Sequence, residues 1–228
     1  MPSADELQIL GTSLSVAFRA IIWSLPFAIA AAYTLSRPRL PGKIVWDGLA
    51  HLPIILPPVL VGFLLLMIFG RRGPVGAWLE RVAGIHLAFT VEGAALATAV
   101  MTFPLLVRSI RLGFEATDER LFEAAAVLRA SPFDRLVTIA LPLAGPCIVA
   151  GAVTAFAAGM GEFGAVITFA ANIPGQTRTL PLAIYTVLQE PGGESEAMRL
   201  AVGSITVAMC GLVSAEMLQR WARKRLAG

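Results

Sequence analysis

Residues 49–70 read LAHLPIILPPVLVGFLLLMIFG, twenty-two positions with no acid and no base except one histidine. A stretch that crosses the hydrocarbon of a bilayer needs about 20 mostly apolar residues. Similar runs recur, giving five expected spans: Leu14–Leu35, Leu49–Gly70, Leu87–Val107, Ile139–Met160 (tilting on toward Ala171) and Ala201–Leu218. In a chain of 228 residues this leaves little mass for a soluble domain. Composition agrees: 57% of residues are hydrophobic and 14% charged, where soluble domains carry roughly 25% charged residues. The mean hydropathy is +0.75. A membrane barrel needs alternating segments of about ten residues, and the chain lacks such a set. The expected class is therefore an all-α integral membrane protein with about five transmembrane helices. Residues 1–228 read as one transmembrane domain, without repeats, low-complexity tracts or a linker.

Lys and Arg near the span ends orient the chain. One set of connections holds Arg37, Arg39, Lys43, Arg108, Arg111, Arg120, Arg129, Arg135, Arg220, Arg223, Lys224 and Arg225; the other holds Arg71, Arg72, Arg81, Arg178 and Arg199. Twelve against five puts the first set in the cytoplasm. Five spans then place the N-terminus outside and the C-terminus inside. The start, MPSADELQILGTS, has Asp5 and Glu6 ahead of its apolar run and no basic head, so it does not read as a signal peptide. Cys147 and Cys210 lie in apolar runs without metal-ligand spacing and read as packing residues. His51 and His86 sit at run edges and read as interfacial. Arg19, inside the first span, either snorkels to the outer interface or faces another helix. Glu92 and Glu216 lie near span ends and read as interfacial.

The longest cytoplasmic connection contains FEAAAVLRASPFDRLVTIALPLAGP, residues 122–146. Thr117-Asp118-Glu119 reads as a helix start with a capping hydroxyl. Leu121, Ala125 and Leu128 then recur on one helical face. Ser131-Pro132 opens a second helix, with Asp134 completing a capping-box pattern. Two short helices with a bend between them follow. Their mixed charges and apolar face suit docking onto a soluble protein better than lying on lipid, where a purely basic face is expected. An ordinary solvated loop is the other reading.

Glu123-Ala124-Ala125, followed by Ile139-Ala140-Leu141-Pro142, resembles the signature of ATP-binding-cassette importer permeases. The resemblance extends over nearly the whole chain; residues 51–76, 103–125 and 161–195 are similar to the molybdate permease branch in particular, the last segment most specifically. It implies a type I importer permease in a bacterial inner membrane. It also implies a second copy of this chain, a cytoplasmic ATPase dimer and an extracytoplasmic molybdate-binding protein. No nucleic-acid partner is implied, and no catalysis or cofactor in this chain: ATP and Mg belong to the ATPase. On the same resemblance Glu123, Ala124, Ala125, Arg129, Ser131, Ile139, Leu141 and Pro142 form the ATPase-coupling surface. The chain departs from the family at Arg129, where a glycine is usual. An arginine there is expected to find an unstrained backbone or another route through the turn.

The path and gate are expected from other segments. Pro57-Pro58 bends the second span, either as a static kink or as a moving part; with Gly62 it would line the path. Gly161-Glu162-Phe163-Gly164 ends the fourth span, and its glycines allow close helix contact. Glu162 is expected to pair with Arg178, to meet backbone across a dimer axis, or to sit among outer headgroups. Asn172, Pro174, Gly175, Thr177, Arg178 and Thr179 form a polar outer turn. There Arg178 and the two threonine hydroxyls make an anion-friendly mouth, or Arg178 meets lipid phosphate or a partner protein. Leu180–Leu188 is too short to span and reads as a helix folded back toward the pore.

Three functions remain in view. The first is a permease driven by a separate ATPase, since the chain has no G-x-x-x-x-G-K-[ST] loop. Its cargo would be a tetrahedral oxyanion, molybdate first and tungstate or sulfate as alternatives. The second is an ion-coupled secondary transporter with Glu162 as carrier, although inverted repeats are lacking. The third is a membrane enzyme, for which no catalytic constellation is found.

Overall fold

The computed structural model describes residues 4–37 and 40–226, the side chains at 212, 214–216 and 218–226 excepted. The calls on Arg39, on Glu216 and on the tail cations Arg220, Arg223, Lys224 and Arg225 fall outside that description. Among the described residues the chain is helical, without strands.

The first helix, α1 (Ala4–Ser36), contains the whole first expected span. Its buried face is built from small residues, with Ala17, Ala20, Ala28 and Ala32 fully enclosed. Small side chains let membrane helices approach closely, where lipid supplies no hydrophobic drive to associate them. α5 (Val91–Glu115) lies along α1 and answers with Ala94, Ala95 and Ala97. A third rod, Pro132–Met160, completes the central bundle. It joins α7 (Pro132–Arg135), a π-helical turn at Leu136–Ala140, and α8 (Leu141–Met160). Leu106, Val107, Ile110 and Phe114 of α5 pack between Ala28, Ala32 and Leu35 of α1 and Ala140, Ala144 and Ala155 of the rod.

The second expected span is not one helix. It divides into α2 (Lys43–Ile55) and α3 (Pro58–Phe69), which meet at 111°. Each proline removes an N–H and restricts the residue before it to extended backbone. Two in succession go beyond a kink: Leu56 and Pro57 are both extended, at ψ 147° and 131°. Pro58 then serves as a ready first residue for a new helix. α4 (Pro74–Ala83), which the apolar pattern does not announce, follows the turn after α3.

The other spans need smaller corrections. The third starts at Val91 rather than Leu87 and runs past Val107 to Glu115, so Arg108 and Arg111 are helical residues, not loop residues. The fourth does not tilt on toward Ala171. It stops at Met160, Gly161–Phe163 break the ladder, and a separate α9 (Gly164–Phe169) begins. α9 lies on α3, and Val61, Leu65, Ala94, Ala97, Ala165, Val166, Phe169 and Leu182 make a second core there. The short helix expected near 180–188 is α10 (Leu180–Val187), packed between α1 and α11 (Glu194–Leu226). Among the described residues, three helices are long and apolar enough to cross a membrane: α1, α5 and the Pro132–Met160 rod. The bent α2–α3 pair meets the same measure only when its two helices are taken together. α11 covers the fifth expected span.

Candidate coupling surface and gate

α5 hands over to α6 (Glu119–Val127) through a turn capped by Asp118, whose carboxylate accepts from the Arg120 N–H at 3.0 Å. The cap is therefore Asp118 and not Thr117, whose hydroxyl instead donates back to the Gly113 carbonyl of α5. Glu123 and Ala124 point into the open, and Ala125 is half-buried.

The end of α6 explains the departure at Arg129. The Arg129 N–H donates to the Ala126 carbonyl, and the Ala130 N–H reaches the Ala125 carbonyl, both at 3.0 Å. That pair of bonds is the Schellman closure of a helix, which requires left-handed backbone at the residue usually filled by glycine. Arg129 fills it, at φ 59°. The expectation that the arginine would escape strain is thus corrected: it adopts the glycine conformation, because two satisfied carbonyls depend on it.

Beyond the bend, Ser131 and Asp134 form a full capping box. The Ser131 hydroxyl accepts from the Asp134 N–H, and the Asp134 carboxylate accepts from the Ser131 N–H, both at 3.1 Å. The hydrogen bond from the Ser131 hydroxyl, then that from its backbone, holds the Asp134 carboxyl below its ordinary value. Arg135 donates to the Ala130 carbonyl at 3.0 Å and so ties α7 to the bend. Pro142 has no N–H to continue the α-helical ladder; just before it, Leu141 N–H bonds to the Leu136 carbonyl, five residues back. Ile139 and Leu141, both half-buried, flank this wider turn. The result is a braced two-helix elbow whose apolar side chains stay outside the bundle. Leu128 is 83% exposed, Val127 83% and Phe133 71%.

The end of α5, just ahead of the elbow, connects to the broken span through a pairing that the sequence did not single out. Arg111 donates to Asp47 of α2 at 2.8 Å and to Glu115 at 2.7 Å. His51 lies 3.5 Å from the same Asp47 carboxylate. Asp47 could have been found as the one acid in the apolar stretch 44–70.

At the other end of the molecule α3 and α9 cross at backbone contact. A Cβ on Gly62 would come within 2.7 Å of the Ala165 carbonyl and of Thr168 Cβ; one on Gly164 would come within 2.7 Å of Pro58 Cβ. Pro57, Pro58, Gly62 and Gly164 therefore belong to one joint. Gly161 does not, since a Cβ there would meet nothing closer than 3.5 Å. The Phe163 ring reaches away to Tyr185 of α10, with centroids 5.0 Å apart. Glu162 is half-buried and is not paired with Arg178, which bonds Asn172 instead: its carboxylate accepts the Ala165 N–H at 2.9 Å and closes the start of α9.

The 172–179 turn is also more self-contained than its composition implies. The Thr177 hydroxyl is buried, accepting from the Ile173 N–H and donating to the Ala171 carbonyl. Thr179 is buried too, its hydroxyl without a hydrogen-bond partner. Neither hydroxyl lines a mouth in this structure, because both hold or pack the turn from within. Arg178 is half-buried and donates to Asn172, which in turn donates to Thr186 of α10. Pro174 and Gly175 form the exposed tip, Gly175 at φ 75°. Gln8 of α1 donates to the Gly175 carbonyl, and Ser13 accepts the Leu180 N–H at 2.7 Å, so α1 braces the whole turn. Sequence reasoning passed over Ser13 because a serine in a membrane helix more often bonds its own backbone, as this one also does toward Ile9. Arg19 faces another helix, paired with Glu92 of α5 at 2.7 Å.

Comparison with known proteins agrees with this arrangement. Residues 24–227 match the family described as binding-protein-dependent transport system inner membrane component. The chain is 51% identical over 220 residues to the molybdenum transport system permease protein ModB of Escherichia coli (strain K12), covering 96% of each chain. It is 44% identical to the ModB protein of Haemophilus influenzae, over 97% of this chain and 96% of that one. Among solved structures, a chain of the bacterial alginate ABC transporter in complex with its alginate-bound periplasmic protein superposes with a TM-score of 0.76. It has 15% identity and covers 96% of this chain and 79% of that one. The inward-facing MetNI methionine ABC transporter gives 0.72 at 13% identity, over 97% and 99%. These two structures share the fold. Family model and relatives together establish that the chain is a multi-pass inner-membrane permease component of the binding-protein-dependent transport systems.

Proposed function

We propose that this chain is the membrane permease of an ATP-driven importer whose cargo is a tetrahedral oxyanion, molybdate. The 51% identity to a molybdenum permease over nearly the full length supports the cargo. The elbow supports the mode of drive: a capped, cross-braced helix pair carries Glu123 and Ala124 in the open, and its Val127, Leu128 and Phe133 are left uncovered. Apolar side chains on a charged cytoplasmic elbow call for a soluble protein partner. A cassette ATPase fits that need, and ATP and Mg would be bound and used there rather than in this chain.

Two copies of the permease would enclose the route, with the N-terminus outside and the C-terminus in the cytoplasm. An external binding protein would deliver the anion to the side of the 172–179 turn. Movement of the elbow would reach the α3–α9 joint through the rod that starts at α7 and ends beside α9. The passage must be wet, since moving a dianion through a dry one is prohibitive.

Glu123→Arg tests the docking role. Charge reversal at a docking face adds repulsion, so uptake of radiolabelled molybdate into vesicles should fall to background while the variant still inserts in the membrane. Full transport, with the ATPase co-purifying at undiminished yield, would refute it. Uptake by the isolated chain under a proton gradient, without any ATPase, would favour ion-coupled transport instead.

A further inference from the structure

The bundle holds a cleft of about 570 Å³ that the transport reading leaves unused. It opens where the end of α1, the start of α2, the end of α5 and the elbow come together. Three cations line it, Arg37, Lys43 and Arg135, and its apolar wall is Tyr33, Phe114 and Phe122. The charges are not cancelled from within. Of the two acids at its edge, Glu115 is engaged by Arg111 at 2.7 Å. Glu119 sits in the first turn of α6, where the positive helix end attracts it. Arg37 rests on the Tyr33 ring, 4.6 Å from its centroid, which fixes its guanidinium at the rim while leaving its N–H groups available.

Its depth follows from the neighbours of Lys43. Ile44, Val45 and Trp46 are all exposed, an apolar first turn of α2 that belongs in hydrocarbon or against another membrane helix. Lys43 sits at the start of α2 and Arg37 just beyond the last turn of α1, so these two cations stand at the level of the headgroups, with Arg135 reaching the cleft from the elbow. Basic pockets between membrane helices on the cytoplasmic side suit anionic headgroups. We propose that this cleft binds a phosphate group presented by an anionic phospholipid, with Arg37, Lys43 and Arg135 around the phosphate and the Tyr33–Phe114–Phe122 wall against the glycerol and upper acyl chain. A bound lipid there touches α1 and α2 on one side and the elbow on the other. It braces the elbow against the bundle, which makes the drive of transport sensitive to anionic lipid. The inference rests on the elbow being the docking surface only for this last consequence; the binding itself does not.

The test uses the assembled permease–ATPase complex in vesicles of phosphatidylcholine with and without one quarter phosphatidylglycerol. Native mass spectrometry of the extracted complex reads retained phosphatidylglycerol, and ATP hydrolysis in each vesicle reads the consequence. A basic side chain close to an anionic headgroup contributes about a fivefold factor in binding. Lipid retention should therefore fall about fivefold in Arg37→Gln or Lys43→Gln, fall further in the double variant, and return with Arg37→Lys together with Lys43→Arg. The ratio of hydrolysis with and without phosphatidylglycerol should move toward one in step with it. Undiminished retention in the double variant overturns the site. If inorganic phosphate or molybdate added to pure phosphatidylcholine vesicles reproduces the stimulation, the ligand is a soluble oxyanion and the lipid assignment is overturned. Loss of the ATPase from the double variant, with lipid retention unchanged, would assign these cations to the protein partner instead.

Discussion

Arg129 carries a conformational penalty that a glycine would not. Left-handed backbone disfavours a side chain by about 1–2 kcal/mol, and Arg129 adopts it to let two carbonyls of α6 be satisfied. Arg129→Gly should therefore raise the stability of the elbow, offset in part by the greater freedom of glycine in the unfolded chain. The net gain should be up to about 1 kcal/mol, read as slower amide exchange at 124–131 in the purified complex. Faster exchange would mean that the arginine side chain makes a contact worth more than the strain. The identity of this position was legible in the sequence as a departure from a pattern; its backbone was not. A left-handed residue is chosen by the closure of the turn, and the amino acid can only resist it.

At the scale of elements, the α3–α9 joint depends on two hydrogens where side chains would otherwise stand. Gly62→Ala places a methyl 2.7 Å from the Ala165 carbonyl, a backbone atom that cannot swing aside. The two helices must separate, at a cost of about 1–3 kcal/mol. A lower unfolding temperature and slower molybdate uptake are expected together. Normal uptake would show that the joint does not work as part of the gate. Gly161→Ala is the control, since its Cβ would have ordinary space. Sequence reading grouped Gly161 with Gly164 because both flank Glu162-Phe163. Only the crossing of α9 over α3 separates a glycine that is needed for contact from one that merely ends a helix.

Across the whole molecule, α5, which leads into the elbow, is joined to the broken span by Asp47 and Arg111, with Glu115 holding Arg111 from its own helix. Such a half-exposed ion pair adds about 1 kcal/mol or less to stability. Its effect is expected on coupling: Asp47→Asn should lower molybdate moved per ATP hydrolysed, with hydrolysis itself retained. Exchanging the partners, Asp47→Arg with Arg111→Asp, should recover part of that ratio, whereas Arg111→Asp alone should not. Equal ratios in all variants would show that α2 and α5 do not transmit through this pair. A pairing across 64 positions of sequence leaves no periodic trace, which is why neither partner was foreseen.

The amino-acid order by itself determined that this chain is an all-helical membrane protein and where a capped elbow interrupts its helices. Those properties depend on local quantities: apolar length against membrane thickness, and proline and serine at helix starts. Tertiary structure alone decided which residues do which work. It converted Pro57-Pro58 from a bend into a 111° turn, drew Thr177 and Thr179 inward, gave Glu162 to α9 and Arg178 to Asn172. The reason is that a polar group away from water takes the nearest partner the fold presents, and which partner is nearest is a property of packing between distant segments.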